Sequence, residues 1–188
     1  MSDKSTKSKH DELIEKFSHE PDIQRKLERV ILISIDKSSA DYILKWALIN
    51  FIQPQKDLVV LVNTRRIDAA VGPYVNPSGF VEELDSSKRE ASISLLKENA
   101  RKLRDQHIAC QAIALIGDPE EEIIRKVKEI KADVLLMGSR KLGAIKRAFL
   151  GSVSDYCVHH CPCAVVIARP DEDEIVKDKT RRRSIFSL

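Results

Sequence analysis

Apolar positions along this chain fall into two rhythms that take turns. Short runs rich in β-branched residues read as buried strands at 29–35, 58–62, 109–115, 132–137 and 164–168. Between them the apolar residues recur at helical spacing. Ile43, Leu44, Ala47, Leu48 and Phe51 mark a first helix, and Ile93, Leu96, Ala100 and Leu103 a long second one over 86–106. Ile123, Ile124, Val127 and Ile130 mark a third, and Val153, Tyr156, Cys157 and His160 a fourth. Five strands alternating with four helices predict an α/β fold, a five-stranded parallel doubly wound sheet. On such sheets ligands bind beyond the C-terminal ends of the strands.

The breaks between elements carry their own chemistry. The first strand runs into Asp36-Lys37-Ser38-Ser39, a polar turn of helix-capping residues. Asp36 is therefore either an N-cap or a carboxylate that accepts a hydrogen bond from a ligand. Pro54 lies past the first helix, where a helix cannot easily continue. Pro119 suits the first position of the third helix, with Glu120 to Glu122 at its positive dipole end. Residues 66–86, with Gly72, Pro73, Pro77 and Gly79, read as an irregular insertion. Residues 1–27 are highly charged. Leu13, Ile14 and Phe17 could make one amphipathic helical turn, but a solvated tail is expected. Residues 171–188, acidic and then basic, are expected to be a second, disordered tail, leaving one domain over 28–170.

Charge narrows the function classes. With 32 basic and 29 acidic side chains the net charge is only +3, unlike a chain that concentrates cations for nucleic acid. No run is long and apolar enough for a membrane span, and the polar first ten residues do not read as a secretory leader. Four cysteines suit a reducing cytoplasm. Cys157, His159, His160, Cys161 and Cys163 crowd together, but no second cluster completes a zinc site, so they read as core and boundary residues rather than a structural metal site. Neither dinucleotide nor P-loop glycine motif is present, and no Ser/His/Asp arrangement can be drawn.

The most distinctive stretch follows the fourth apolar run. Met137-Gly138-Ser139-Arg140-Lys141-Leu142-Gly143 is a basic, glycine-containing loop, and it ends at Gly151-Ser152-Val153-Ser154, where a helix starts. Glycines let backbone approach an anion, and a helix N-terminus offers free N–H groups. Gly138, Gly151 and Ser152 match three positions of the Gly-x2-Gly-x9-Gly-[Ser/Thr] signature, and the stretch resembles the universal stress protein family over roughly residues 28–170. Lys141 stands at the second glycine position, with Gly143 two residues on. Asn63 stands where many members of that family carry His.

The resemblance implies an adenine-nucleotide alpha-hydrolase-like fold with strand order 3-2-1-4-5. It implies a site between strands one and four for ATP or a related adenine nucleotide, with or without magnesium. Asp36, Ser38 and Thr64 would then lie near adenine and ribose. Met137, Gly138, Arg140, Lys141, Gly143, Gly151, Ser152, Val153 and Ser154 would lie along the phosphates. The implied role is a stress-linked sensor or regulator, with at most slow ATP hydrolysis and no catalytic residue to name. The alternative, pointed to by Lys141, is a dimeric interaction module that has lost the nucleotide. A homodimer through the last strand is implied as well. Separately, Arg181-Arg182-Arg183-Ser184-Ile185 reads as a substrate site for a basophilic kinase at Ser184.

Overall fold

A computed structural model describes residues 11–18, 27–66, 80–139 and 150–170, with 80–85 as backbone alone. The elements in chain order are β1 (Asp11–Phe17), β2 (Arg29–Ser34), α1 (Ala40–Asn50), β3 (Asp57–Arg65), α2 (Phe80–Arg104) and β4 (Cys110–Ile116). They continue with α3 (Pro119–Ile130), β5 (Val134–Gly138), α4 (Ser152–His160) and β6 (Ala164–Ala168). One sheet runs β1-β4-β3-β2-β5-β6. Its last five members pair in parallel and have the expected 3-2-1-4-5 order.

Alternation along the inner strands splits the core in two. Ile31, Ile33, Val59 and Leu61 face Ile43, Leu44 and Ala47 of α1 and Leu96, Ala100 and Leu103 of α2. Leu32, Val60, Val62 and Leu135 face Ile123 and Val127 of α3 and Cys157 of α4. Both faces are covered, which is why these strands read as unbroken apolar runs.

Two expectations are corrected. The sheet has six strands and is mixed, because Asp11–Phe17 pairs antiparallel with β4 instead of lying in a solvated tail or forming a helical turn. The pattern hid this strand because its register shifts between Leu13 and Glu15, a bulge that breaks the two-residue period. Ile14 and Phe17, three apart, therefore both pack against the α1/α2 core. Its acids are matched to each helix layer in turn. Glu12 and Glu15 accept from Arg89 and Arg104 of α2, at 2.5 Å each, while Asp11 meets Arg125 and Lys126 of α3. The second correction concerns the insertion at 66–86, whose last part is helical, since α2 begins at Phe80.

At the N-terminal end of the sheet the polar groups close on one another. Arg29 Nε and Nη2 donate to Asp57 at 2.9 and 2.7 Å, and Gln53 N donates to the same carboxylate at 2.6 Å. The guanidinium also lies 4.7 Å from the Phe51 ring centroid and donates to the Phe51 carbonyl at 3.0 Å. Nearby, Val30 N donates to Asp133 Oδ2 at 2.7 Å.

Candidate functional site

A crevice opens at the other end of the same strands. β2 contributes Ser34 and then Ile35 and Asp36, β3 contributes Asn63 and Thr64, and β5 contributes Met137 and Gly138. The starts of α3 and α4 close its side through Pro119, Ile123, Gly151, Val153 and Ser154. The chain turns to opposite sides of the sheet after β2 and after β5. These two neighbours therefore diverge, and that topology opens the crevice. At its rim Arg66 Nη2 and Asp118 Oδ2 are 3.0 Å apart. Asp118 also caps α3 by accepting from Glu120 N at 2.9 Å.

Asp36 shapes its own turn. Its Oδ1 accepts from Ser38 N at 2.7 Å, Ser38 Oγ at 2.6 Å and Ser39 N at 2.9 Å. Its N–H donates to Ser39 Oγ at 3.1 Å. The N-cap residue of α1 is Ser39, whose side chain makes no capping bond, so Asp36 acts ahead of the helix. All three bonds converge on Oδ1; Oδ2 accepts none from the described residues. Ser38 is exposed, spends its hydroxyl on Asp36 and is not part of the crevice lining, whereas the buried Ser39 is.

Gly138 is required by a different neighbour from the one its motif suggests. A Cβ there would collide with the Tyr42 hydroxyl and come within 2.7 Å of Ser39 Cβ. The glycine lets α1 press against the end of β5. Tyr42, buried, donates its hydroxyl to the Ser139 carbonyl, and Ser139 N donates to Ala168 O at 2.9 Å. The root of the glycine loop is thus tied to α1 on one side and β6 on the other.

Thr64 differs from the polar residues around it. Its Oγ1 is buried and has no hydrogen-bond partner among the described residues. Neighbouring Asn63 is satisfied, with Nδ2 donating to the Ile35 carbonyl at 2.8 Å, which ties β3 to the exit of β2.

At the helix end of the crevice, Gly151 occupies the N-cap of α4 in an extended conformation with no side-chain cap. Ser154 is buried and donates its hydroxyl to the Gly151 carbonyl at 2.9 Å. Val153 lines the crevice, while Ser152 is exposed and outside its lining. Of the expected site residues, Asp36, Thr64, Met137, Gly138, Gly151, Val153 and Ser154 are brought together. Arg140, Lys141 and Gly143 lie outside the described residues, as do Ser184 and the arginines before it.

Sequence reasoning missed Ser39, Tyr42, Pro119 and Ile123. Pro119 and Ile123 read in the sequence only as parts of the third helix. Tyr42 had a helical position but no signal of its own, because its partners are remote in sequence.

Farther along α4, Cys157 is fully buried, which pushes its thiol up to about 12, with Cys161 and Glu120 adding to the effect. His160 is exposed and stacks on Tyr156 with ring centroids 4.0 Å apart. Among the described residues no three His, Cys, Asp or Glu side chains group to hold a metal ion.

Comparison with known proteins bears on this geometry. The profile of the universal stress protein family matches residues 28–169. A universal stress protein A-like protein of Arabidopsis thaliana is 31% identical over 120 residues, 64% of this chain and 68% of the relative. The chain spans about two thirds of the length of the curated relatives it matches first. Among solved structures, a universal stress protein family protein of Arabidopsis thaliana with AMP bound superposes with a TM-score of 0.59. Its identity is 23%, and 78% of this chain and 94% of that one are covered. A universal stress protein in complex with cAMP superposes at 0.52 and 16% identity, covering 77% and 99%. At those identities the structural likeness speaks for the fold. The profile match spans most of the chain, and the sheet has the order expected of this fold, so the chain belongs to the universal stress protein family.

Proposed function

We propose that the crevice binds an adenine nucleotide, with ATP the favoured ligand, and that the protein works as a stress-response sensor or regulator. The observation that carries this reading is Thr64 Oγ1, a buried hydroxyl beside the crevice with no partner among the described residues. A buried polar group left unpaired costs about 1–3 kcal/mol, so a ligand polar atom placed there recovers that cost. Asp36 Oδ2 supplies an acceptor for an amine or hydroxyl of the base or ribose, held in place by the bonds to Oδ1. The backbone N–H groups at the start of α4 supply donors for phosphate.

The free space among the described lining is about 110 Å³, small beside the 300 Å³ or more of a typical ligand pocket. It fits part of a nucleotide, with the remainder running outward along α4. Asp36 is the one titratable side chain in that lining, and its Oδ1 is engaged, which supports binding over turnover. AMP and cAMP bound to structural neighbours support the adenine class.

Isothermal calorimetry with ATP and magnesium tests the reading. A saturable heat that AMP competes away is expected; no heat at millimolar ATP would leave the interaction-module alternative, in which Lys141 excludes the nucleotide. Among the described residues β6 is an edge strand, which supports homodimerisation through it, since an unpaired edge attracts another chain. Light scattering that finds only monomer would end that part. A cytoplasmic location and phosphorylation of Ser184 by a basophilic kinase complete the proposal. Labelling of purified protein by such a kinase, followed by peptide mapping, tests the latter.

A further inference from the structure

The turn between α4 and β6 brings together two thiols that the crevice does not use. Cys161 occupies the C-cap of α4, its N–H bonded to the Cys157 carbonyl at 2.9 Å. Cys163 immediately precedes β6, whose first residue is opposite Val134. Pro162 lies between them, with its backbone φ restricted by the ring. Their sulfur atoms are 3.4 Å apart, and both residues are half-buried, whereas Cys110 and Cys157 are fully buried.

We propose that Cys161 and Cys163 form a peroxide-oxidisable dithiol that closes to an intramolecular disulfide. One residue, Pro162, separates the two cysteines, and their sulfurs have to close from 3.4 Å to a bonding separation of about 2 Å. In the first step the Cys161 sulfur attacks one oxygen of hydrogen peroxide. The O–O bond breaks, Cys161 becomes a sulfenic acid, and the thiol proton leaves with the second oxygen as water. In the second step the Cys163 sulfur attacks Cys161 Sγ. The S–O bond breaks, and the departing hydroxyl takes the Cys163 proton as water. Overall, two thiols and one peroxide give one disulfide and two waters. Either sulfur can be the donor in their 3.4 Å contact, and burial sets the two thiols apart. Burial first, and then that bond to Cys161, push the Cys163 thiol up to about 12. A thiol held protonated by burial attacks poorly, so Cys161 is the sulfur oxidised first and Cys163 the one that resolves it.

This inference does not rest on nucleotide binding. The test uses the reduced full chain, treated with hydrogen peroxide and read by intact mass and peptide mapping. The expected result is a loss of two hydrogens per chain, restored by dithiothreitol and mapped to a Cys161–Cys163 link. Cys163→Ser should stop at a sulfenic acid on Cys161 that dimedone traps, and Cys161→Ser should lose both products. A Cys157→Ala variant should retain the two-hydrogen loss. Because Cys157 is in the core and that variant can misfold, differential alkylation of the wild-type protein before and after peroxide provides a second reading. In that assay Cys161 and Cys163 should become protected together while Cys157 does not change. Oxygen addition without a disulfide, a Cys157–Cys161 link, a crosslink between chains, or no reaction where glutathione is oxidised would each overturn the proposal.

Discussion

At the N-terminal ends of β2 and β3, Arg29 and Asp57 close on each other; at the C-terminal ends of the same strands, Thr64 keeps a buried hydroxyl without a partner among the described residues. The first end is self-sufficient. Asp57, 1% exposed, takes two bonds from Arg29 and one from Gln53 N, and the guanidinium is covered by Phe51. The second end holds short polar side chains on diverging strands, with Asp36 Oδ2 and Thr64 Oγ1 unpaired among the described residues. One end of the sheet is closed by its own charged groups, and the other is the end at which we propose that the nucleotide binds.

Removing the closure at the first end should have the largest effect. Asp57→Ala removes the acceptor of both the part-exposed Arg29 and Gln53 N, and losing these charge-assisted bonds should cost about 3 kcal/mol. Urea unfolding should report that loss, with calorimetric affinity for ATP unchanged. If affinity collapses while stability holds, the division between the two ends is wrong. Next is Gly138→Ala, where the added Cβ meets Tyr42 and Ser39. Overpacking there should cost about 2 kcal/mol on the same unfolding assay and weaken ATP binding too, since the loop root shifts.

Asp36→Asn sharpens the comparison. The amide oxygen can still accept from Ser38 and Ser39, so stability should change by less than about 0.5 kcal/mol. With the amide nitrogen in place of Oδ2, an acceptor becomes a donor, and ATP affinity should fall about tenfold, or 1.4 kcal/mol. An unchanged affinity would remove Asp36 from the site. The smallest effect is expected from Thr64→Val, and its sign is diagnostic. Losing an unpaired buried hydroxyl should raise the stability of the unliganded protein by about 1 kcal/mol. ATP affinity should fall about fivefold, equivalent to roughly 1 kcal/mol. A variant that loses stability without ligand would mean that Thr64 is satisfied within the fold.

Legibility along the chain tracked how local each feature is. The parallel strands and their helices were readable because burial on both faces leaves continuous apolar runs and helical spacing. Asp36, Gly138 and Gly151 were readable as breaks between elements. β1 was not, because a bulge and four acidic or basic side chains in seven residues erase the alternation. Those charges are legible only beside Arg89, Arg104, Arg125 and Lys126, 77 to 115 residues away in sequence. Gly138 reads in the sequence as a glycine that lets the backbone approach an anion, whereas the bodies a side chain there would meet are Tyr42 and Ser39, on another stretch of chain.

By itself, then, the sequence determined the alternation of elements, the family and the stretch where a crevice should lie, since each depends on neighbouring residues and their spacing. Tertiary structure decided which groups are satisfied and which are spare. Arg29 finds Asp57 28 residues away, Asn63 finds the Ile35 carbonyl, and Thr64 finds no partner among the described residues. Whether a polar atom is paired depends on what folding places within about 3 Å of it, and spacing along the chain does not encode that distance.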